Sequence, residues 1–186
     1  MHSLPLFKTE VVDQLAHAAL YKKVTLSSPA TTIFTDFTEH EPLVIDYDAK
    51  AESLEHLMKK SHVKMKLVLD KKGVFIGIVT AADLSERHII QKVAQGTPRE
   101  SLTAFDFMRA KSTLHSFDFE HIKHATVGDI VETLKHNGQH HCLVIDRNAH
   151  VIRGVISVSD IARELHAPLD IQSQPSFAAL SRIVAA

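Results

Sequence analysis

The sequence predicts a mixed α/β (α+β) fold, built from two copies of one helix–strand–turn–strand–helix unit packed as a single module. Three observations carry this. "GIVTAADL", from Gly77 to Leu84, recurs as "GVISVSDI", from Gly154 to Ile161, with glycine, aliphatic, hydroxyl and acidic residues in matching places. The aliphatic runs "KLVLD" and "CLVID" are short and bounded by turns, so they read as buried strands. Apolar residues at helical spacing precede each run, which makes the repeat one of whole structural units.

In the first copy, "SLEHLMKK" carries Leu54, Leu57 and Met58 as an apolar stripe, with Asp48 or Ser53 placed to cap the helix. A strand in "MKLVLD" comes next, then a turn at Asp70-Lys71-Lys72-Gly73, a strand in "VFIGIV" and a helix in "TAADLSERHII". Gly96 and Pro98 mark that helix's end, and Gly96 to Ser101 connects the halves.

The second copy is the clearer one. Val127, Ile130, Val131 and Leu134 follow the i, i+3, i+4, i+7 pattern, Thr126 is placed to cap them and Asn137-Gly138 to stop them. "HCLVID", a turn at Asp146-Arg147-Asn148-Ala149, "VIRGVI" and "SVSDIARELH" complete the unit, whose hairpin is one residue longer than in the first copy. The expected organisation is an N-terminal extension (1–35), two repeats (36–97 and 98–168) and a helical tail (169–186) with Phe177, Leu180, Ile183 and Val184 at helical spacing.

Composition bounds the function. Apolar residues make up 45% and charged residues 23% of 186, the profile of a globular chain. The net charge is −1 and no Lys/Arg run exceeds two, so no nucleic acid partner is expected. The longest nearly apolar stretch, Val74 to Ala82, is too short for a membrane span. "MHSLPLFKTE" lacks a leader's basic and apolar regions, and Cys142 is the single cysteine, so a cytoplasmic setting is expected.

The repeated joint has two readings. Thr80-x-x-Asp83 and Ser157-x-x-Asp160 resemble capping boxes, in which a hydroxyl and an acid satisfy the free amides of a helix start. Capping boxes, however, favour the longer Glu or Gln, and capping makes no demand for Gly77 or Gly154. A glycine in a strand marks close approach by a ligand or another backbone. In the binding reading, the hydroxyl and helix N-terminus meet a phosphate, while the carboxylate accepts from two sugar hydroxyls. Arg87 and Arg163 stand near enough in sequence to add phosphate charge.

The pattern of an aliphatic strand ending in Asp, a turn, then Gly-aliphatic-aliphatic-Thr/Ser-x-x-Asp resembles the cystathionine-β-synthase (CBS) domain. Two copies over roughly 36–165 resemble a tandem CBS pair. The resemblance implies two β-α-β-β-α units related by a pseudo-two-fold axis, with two clefts between them. It implies that Asp83 and Asp160 bind ribose and that Thr80 and Ser157 bind phosphate. Adenine would be held near Leu43 to Ile45 (Val44 and Ile45 among them) with Lys64 to Lys66 (including Met65), and near Leu114 to Ser116 (including His115) with His140 to Cys142 (including His141). Lys66 and Cys142 stand where many relatives carry proline. Some pairs in the family have one occupied cleft, or none.

Other chemistry is weakly supported. Fourteen histidines invite a metal, but His121/His124 and His136/His140 are not completed by a recognisable ligand set. Cys142 opens a buried strand, where a thiol acts as a small hydrophobe. No phosphate loop, nucleophile elbow or acid–base carboxylate pair is present, so no catalytic residues, metal or cofactor are expected. The resulting expectation is a stand-alone regulatory module that binds an adenine nucleotide (AMP, ADP or ATP) and signals to a partner protein, with homodimerisation through outward apolar helices. The alternative is an assembly module with empty clefts.

Overall fold

The computed structural model describes residue 8, residues 10–12 and residues 23–165. The expected C-terminal helix and most of the N-terminal extension up to residue 22 lie outside the described residues. The chain runs through β1 (Thr35–Asp36), β2 (Val44–Asp46), α1 (Ala51–Lys60), β3 (Met65–Leu69), β4 (Phe75–Thr80) and α2 (Glu86–Ala94). It continues through α3 (Ala104–Phe107), β5 (Arg109–Ala110), β6 (Ser116–Asp118), α4 (Phe119–Ile122), α5 (Val127–His136), β7 (His141–Asp146), β8 (Val151–Ser157) and α6 (Val158–Glu164). The expected repeat of helix, two strands and helix is present twice, in two four-stranded sheets.

Each sheet takes one strand from beyond its own repeat. The first sheet has the order β2-β3-β4-β5 and the second β1-β8-β7-β6. β1 precedes the first repeat but pairs antiparallel with β8, while β5 comes after that repeat and closes its sheet on β4. The exchange extends beyond the strands. Ala30 and Ile33 are buried in the second unit's core with Ile130, Leu134 and Ile161. Leu102, Ala104 and Phe107 are buried in the first, with Leu54, Met58 and Val79.

The repeated glycines are explained by this exchange. Gly77 lies opposite Ala110, and a Cβ there would overlap the Arg109 carbonyl. Gly154 lies opposite Asp36, and a Cβ there would overlap both the Thr35 carbonyl and the Phe34 ring. The close approach expected at these positions is thus made by another backbone.

Between the sheets, Leu67 and Ile78 meet Leu143, with Met65, Phe37, Leu114 and Val155 packed around them. Both hairpins shift register at the same place, after Val68 and after Val144, which leaves Ile76 and Arg153 as bulged residues before the glycines. Thr126 caps α5, its hydroxyl accepting from the Asp129 amide, and Gly138 lies just past the helix end at φ 60°. Two expectations need correction. Neither Asp48 nor Ser53 caps α1, whose N-cap is Lys50 without a side-chain bond. Leu57 turns outward at 46% exposure, because Ala51, Leu54 and Met58 already fill the face toward the core.

Candidate functional site

The two joints close locally in the same way. At the first, the Thr80 amide and hydroxyl donate to Asp83 Oδ2 at 2.8 and 2.6 Å. At the second, the Ser157 hydroxyl donates to Asp160 Oδ2 at 2.6 Å and accepts from the Asp160 amide at 3.0 Å. The chain beyond each joint differs. Ser157 is the N-cap of α6, whereas Thr80 leads into a turn and α2 begins only at Glu86. The sequence expectation of a helix N-terminus at both joints therefore holds at the second alone.

The choice of Asp does not separate binding from capping. Thr103 and Thr126 make capping boxes with Asp106 and Asp129, through bonds of 2.8–3.0 Å and 2.7–2.8 Å to the carboxylates. A Thr or Ser is bonded to an Asp three residues on at all four places, three of them helix starts, so the short acid is a general habit here. Position separates them instead.

Ser157 and Asp160 line a cleft of about 290 Å³ between the two units. One wall comes from α6, which contributes Ser157, Ser159, Asp160 and Arg163. The opposite wall comes from the first unit, through Leu43, His62, Val63, Lys64 and Met65. Thr35 and Phe37, at and beside β1, complete it with Glu41, Leu67, His141 and Val155. A small pocket lined by both apolar and charged side chains suits a flat organic group joined to a charged one. Arg163 Nη2 donates to Asp160 Oδ1 at 2.7 Å. Arg163 is 66% exposed, so this ion pair holds it weakly and it can swing to an anion.

The expected residues divide accordingly. Lys64, Met65, His141, Ser157, Asp160 and Arg163 come together in the cleft. The grouping crosses the repeats: the α1–β3 loop of one copy faces the β8–α6 joint of the other. Val44 and Ile45 do not line this cleft; Val44 is exposed, Ile45 packs on the first core, and the neighbouring Leu43 takes the lining place. His140 supports the site from behind, its carbonyl accepting from the Val158 amide at 2.9 Å. His115 lies ahead of β6, and its carbonyl accepts from Cys142 Sγ at 3.6 Å. Thr80 and Asp83 stand at the other joint, where Arg109 Nε approaches Asp83 Oδ2 at 3.7 Å. Arg87 is exposed near the start of α2.

His141 lies between the two joints. It is opposite Ser157 in the ladder and feels Arg109, His140, Asp160 and Asp83. Burial, helped by the Arg109 charge, pushes its imidazole down to about 4, so it is neutral near pH 7. Burial likewise pushes the Cys142 thiol up to about 11, which leaves it a poor nucleophile. Among the described residues, no group of three or more His, Cys, Asp or Glu could hold a metal ion, and no helix is long and apolar enough to cross a membrane.

Thr35, Phe37, Glu41, His62 and Ser159 line the cleft without having stood out in the sequence. β1 is two residues long and carries no period, so Thr35 and Phe37 leave no signal. His62 does leave one: the repeat sets it against Gly138 at the same 76-residue offset that relates Asp70 to Asp146.

Comparison with known proteins agrees with this architecture. A family model described as the CBS domain matches residues 34–88 and 123–167. No curated protein matches the sequence. Among solved structures, an uncharacterized conserved protein from Pyrococcus horikoshii aligns with a TM-score of 0.56 at 17% identity, over 79% of this chain and 98% of its own. CBSX2 in complex with AMP aligns at 0.52 and 15% identity, over 73% and 94%. A conserved CBS domain protein of unknown function from Thermoplasma acidophilum aligns at 0.50 and 17%, over 82% and 75%.

Proposed function

The chain belongs to the CBS domain family, as a tandem pair, and we propose that it binds an adenine nucleotide between its two units and regulates a partner. The observation that carries this reading is the cleft that sets Ser157, Asp160 and Arg163 against Leu43, Lys64 and Met65. Asp160 meets the ribose diol, because a carboxylate can accept from two adjacent hydroxyls. Arg163, with Ser157 and Ser159 on the first turn of α6, meets phosphate. The first unit's wall takes the base. Ser157 must rotate its hydroxyl away from Asp160 to reach phosphate, a rotamer change that ligand contacts offset. The AMP held by the similar CBSX2 supports the ligand class.

Regulation arises from geometry. The cleft's walls belong to different units, so a ligand bridging them favours the arrangement it binds better. No catalytic set accompanies the cleft in this reading, and the signal leaves through a partner or a second copy. Leu57, Ile90, Val93 and Phe105 are 40–56% exposed on α1, α2 and α3, which supports self-association.

Calorimetric titration with AMP, ADP and ATP tests the proposal, and saturable heat with at least one is expected. The assembly reading has its own support, since the hydroxyl at each joint is already bonded to its own Asp. No heat with any of the three, together with a concentration-dependent dimer, would favour assembly.

A further inference from the structure

His62 stands where the repeat places a glycine. α1 ends at Lys60, Ser61 closes it, and His62 comes next in the left-handed region at φ 55°. Its amide donates to the Lys59 carbonyl at 3.2 Å, and the Val63 amide donates to the Met58 carbonyl at 3.0 Å. In the second unit Gly138 (φ 60°) makes the same reversal after α5, its amide donating to the Lys135 carbonyl at 3.2 Å and that of Gln139 to the Leu134 carbonyl at 3.0 Å. Glycine fills this position without strain, whereas a residue with a Cβ is strained there. The first unit therefore keeps a side chain where the fold would be better served by none.

A left-handed histidine is not by itself a site. His150 is another (φ 53°), on the exposed β7–β8 turn. His62 differs in lining the cleft between the units, beside Val63 and across from Asp160 and Arg163. Backbone strain that persists on the wall of a cleft points to a use for the side chain that carries it.

We infer that His62 contacts the ligand's base, its ring lying against the purine at the first unit's wall of the cleft. This rests on the nucleotide reading of the cleft. With ribose on Asp160 and phosphate on Arg163, the base falls to the first unit's wall, where Leu43, Val63 and Met65 stand with Glu41, His62 and Lys64. An imidazole offers a flat face for stacking and a ring nitrogen for the base edge. His62 thus helps select a purine over ligands that lack a stacking face, and the fold accepts a strained turn to keep it.

The test uses two substitutions that the turn accepts. His62→Gly removes both ring and strain, and His62→Asn removes the ring while keeping a residue that tolerates left-handed geometry. The urea midpoint of His62→Gly is expected to rise. AMP affinity by calorimetry is expected to fall about 5- to 150-fold in both variants, the range for losing one base-stacking partner. A merely structural role would leave affinity unmoved. Wild-type affinity in either variant overturns the inference, as does a lowered midpoint for His62→Gly, because no strain would then be stored. If wild type binds none of AMP, ADP and ATP, the nucleotide reading falls and takes this one with it. If wild type binds and the variants bind equally well, this one falls alone.

Discussion

Arg153 lays Nε and Nη2 on the two carboxylate oxygens of Asp36, at 2.8 and 2.7 Å, and so fastens β1 to a strand 117 residues away. Arg153 is the bulged residue of β8, freed from the ladder to reach sideways, and its guanidinium stacks over Phe119 at 4.5 Å. Thr35 and Phe37, on either side of Asp36, line the cleft. Strand alternation puts them on the opposite face from the clasp. The clasp and the cleft thus share one short strand.

Asp36→Asn is expected to destabilise the second unit and to loosen β1 first, read as faster hydrogen exchange of the Phe37 amide, which donates to the Arg153 carbonyl at 2.8 Å. The hydrogen bond from Arg153 holds the Asp36 carboxyl far below the usual carboxylate range. The unfolded chain, with a value of about 3.9, then binds more protons than the folded one below that pH. The stabilisation is full above about pH 4 and is lost as pH falls through the folded value. The gap in thermal midpoint between wild type and Asp36→Asn should close in acid; a gap constant from about pH 7 to about pH 2 contradicts the clasp.

His141 adds an earlier acid-sensitive step. Its folded value of about 4, set first by burial and then by Arg109 and His140, lies below the unfolded value of about 6.5. Between those values the unfolded state binds the extra proton, so stability falls as pH drops from about 6.5 toward 4, by about 3 kcal/mol in full. His141→Gln should flatten urea stability across this window while leaving the Asp36 step in place. An unchanged slope would place the titration elsewhere.

Length and period decide how much of this was legible in the sequence. α5 was readable from Thr126 to Gly138 because ten residues show a helical stripe and both ends carry their stop signals. The strands β3, β4, β7 and β8 were readable because each is a compact apolar run between turns. β1 and β5, two residues each, have no period to detect, so the exchange between sheets was hidden. Gly77 and Gly154 announced a close approach without saying to what. The short acids at Asp83 and Asp160 look like a binding signal in the sequence, but the caps at Asp106 and Asp129 show the same chemistry away from the cleft between the units. Which loop faces which joint is a matter of packing between units, and local sequence does not encode it.

The two glycines should fail in a graded way when given a side chain. Gly154→Ala meets both the Thr35 carbonyl and the Phe34 ring, while Gly77→Ala meets the Arg109 carbonyl and the flexible Met108 sulfur, 3.1 Å away. Overpacking of this kind costs about 1–3 kcal/mol. Gly154→Ala should lie at or above the upper end, and Gly77→Ala lower, by urea denaturation. Equal and negligible losses would mean that β1 and β5 do not sit this close to their partners.

Capping and binding separate in a paired comparison. Thr126→Ala removes a cap remote from the cleft lining and should cost about 0.5–2 kcal/mol of stability with no change in AMP affinity. Asp160→Ala should lower AMP affinity roughly 10- to 150-fold through lost charge-assisted bonds to the ribose. If Asp160→Ala loses stability and keeps its affinity, the second joint is a cap like the one at Thr126.

Cys142 reports on the cleft without any substitution. It is 7% exposed, comes directly after the cleft-lining His141 in β7, and burial holds its thiol near 11, so at about pH 8 almost none is thiolate. A thiol reagent should therefore label it only through opening of β7, at a rate proportional to the open population. A nucleotide that binds the closed cleft lowers that population by the factor 1 + [L]/Kd, so AMP at about a hundred times its Kd should slow labelling about a hundredfold. Prompt labelling in native buffer would contradict the burial of Cys142. Slow labelling that AMP leaves unchanged would mean that β7 opens without disturbing the ligand, and His141 would then have no part in holding it.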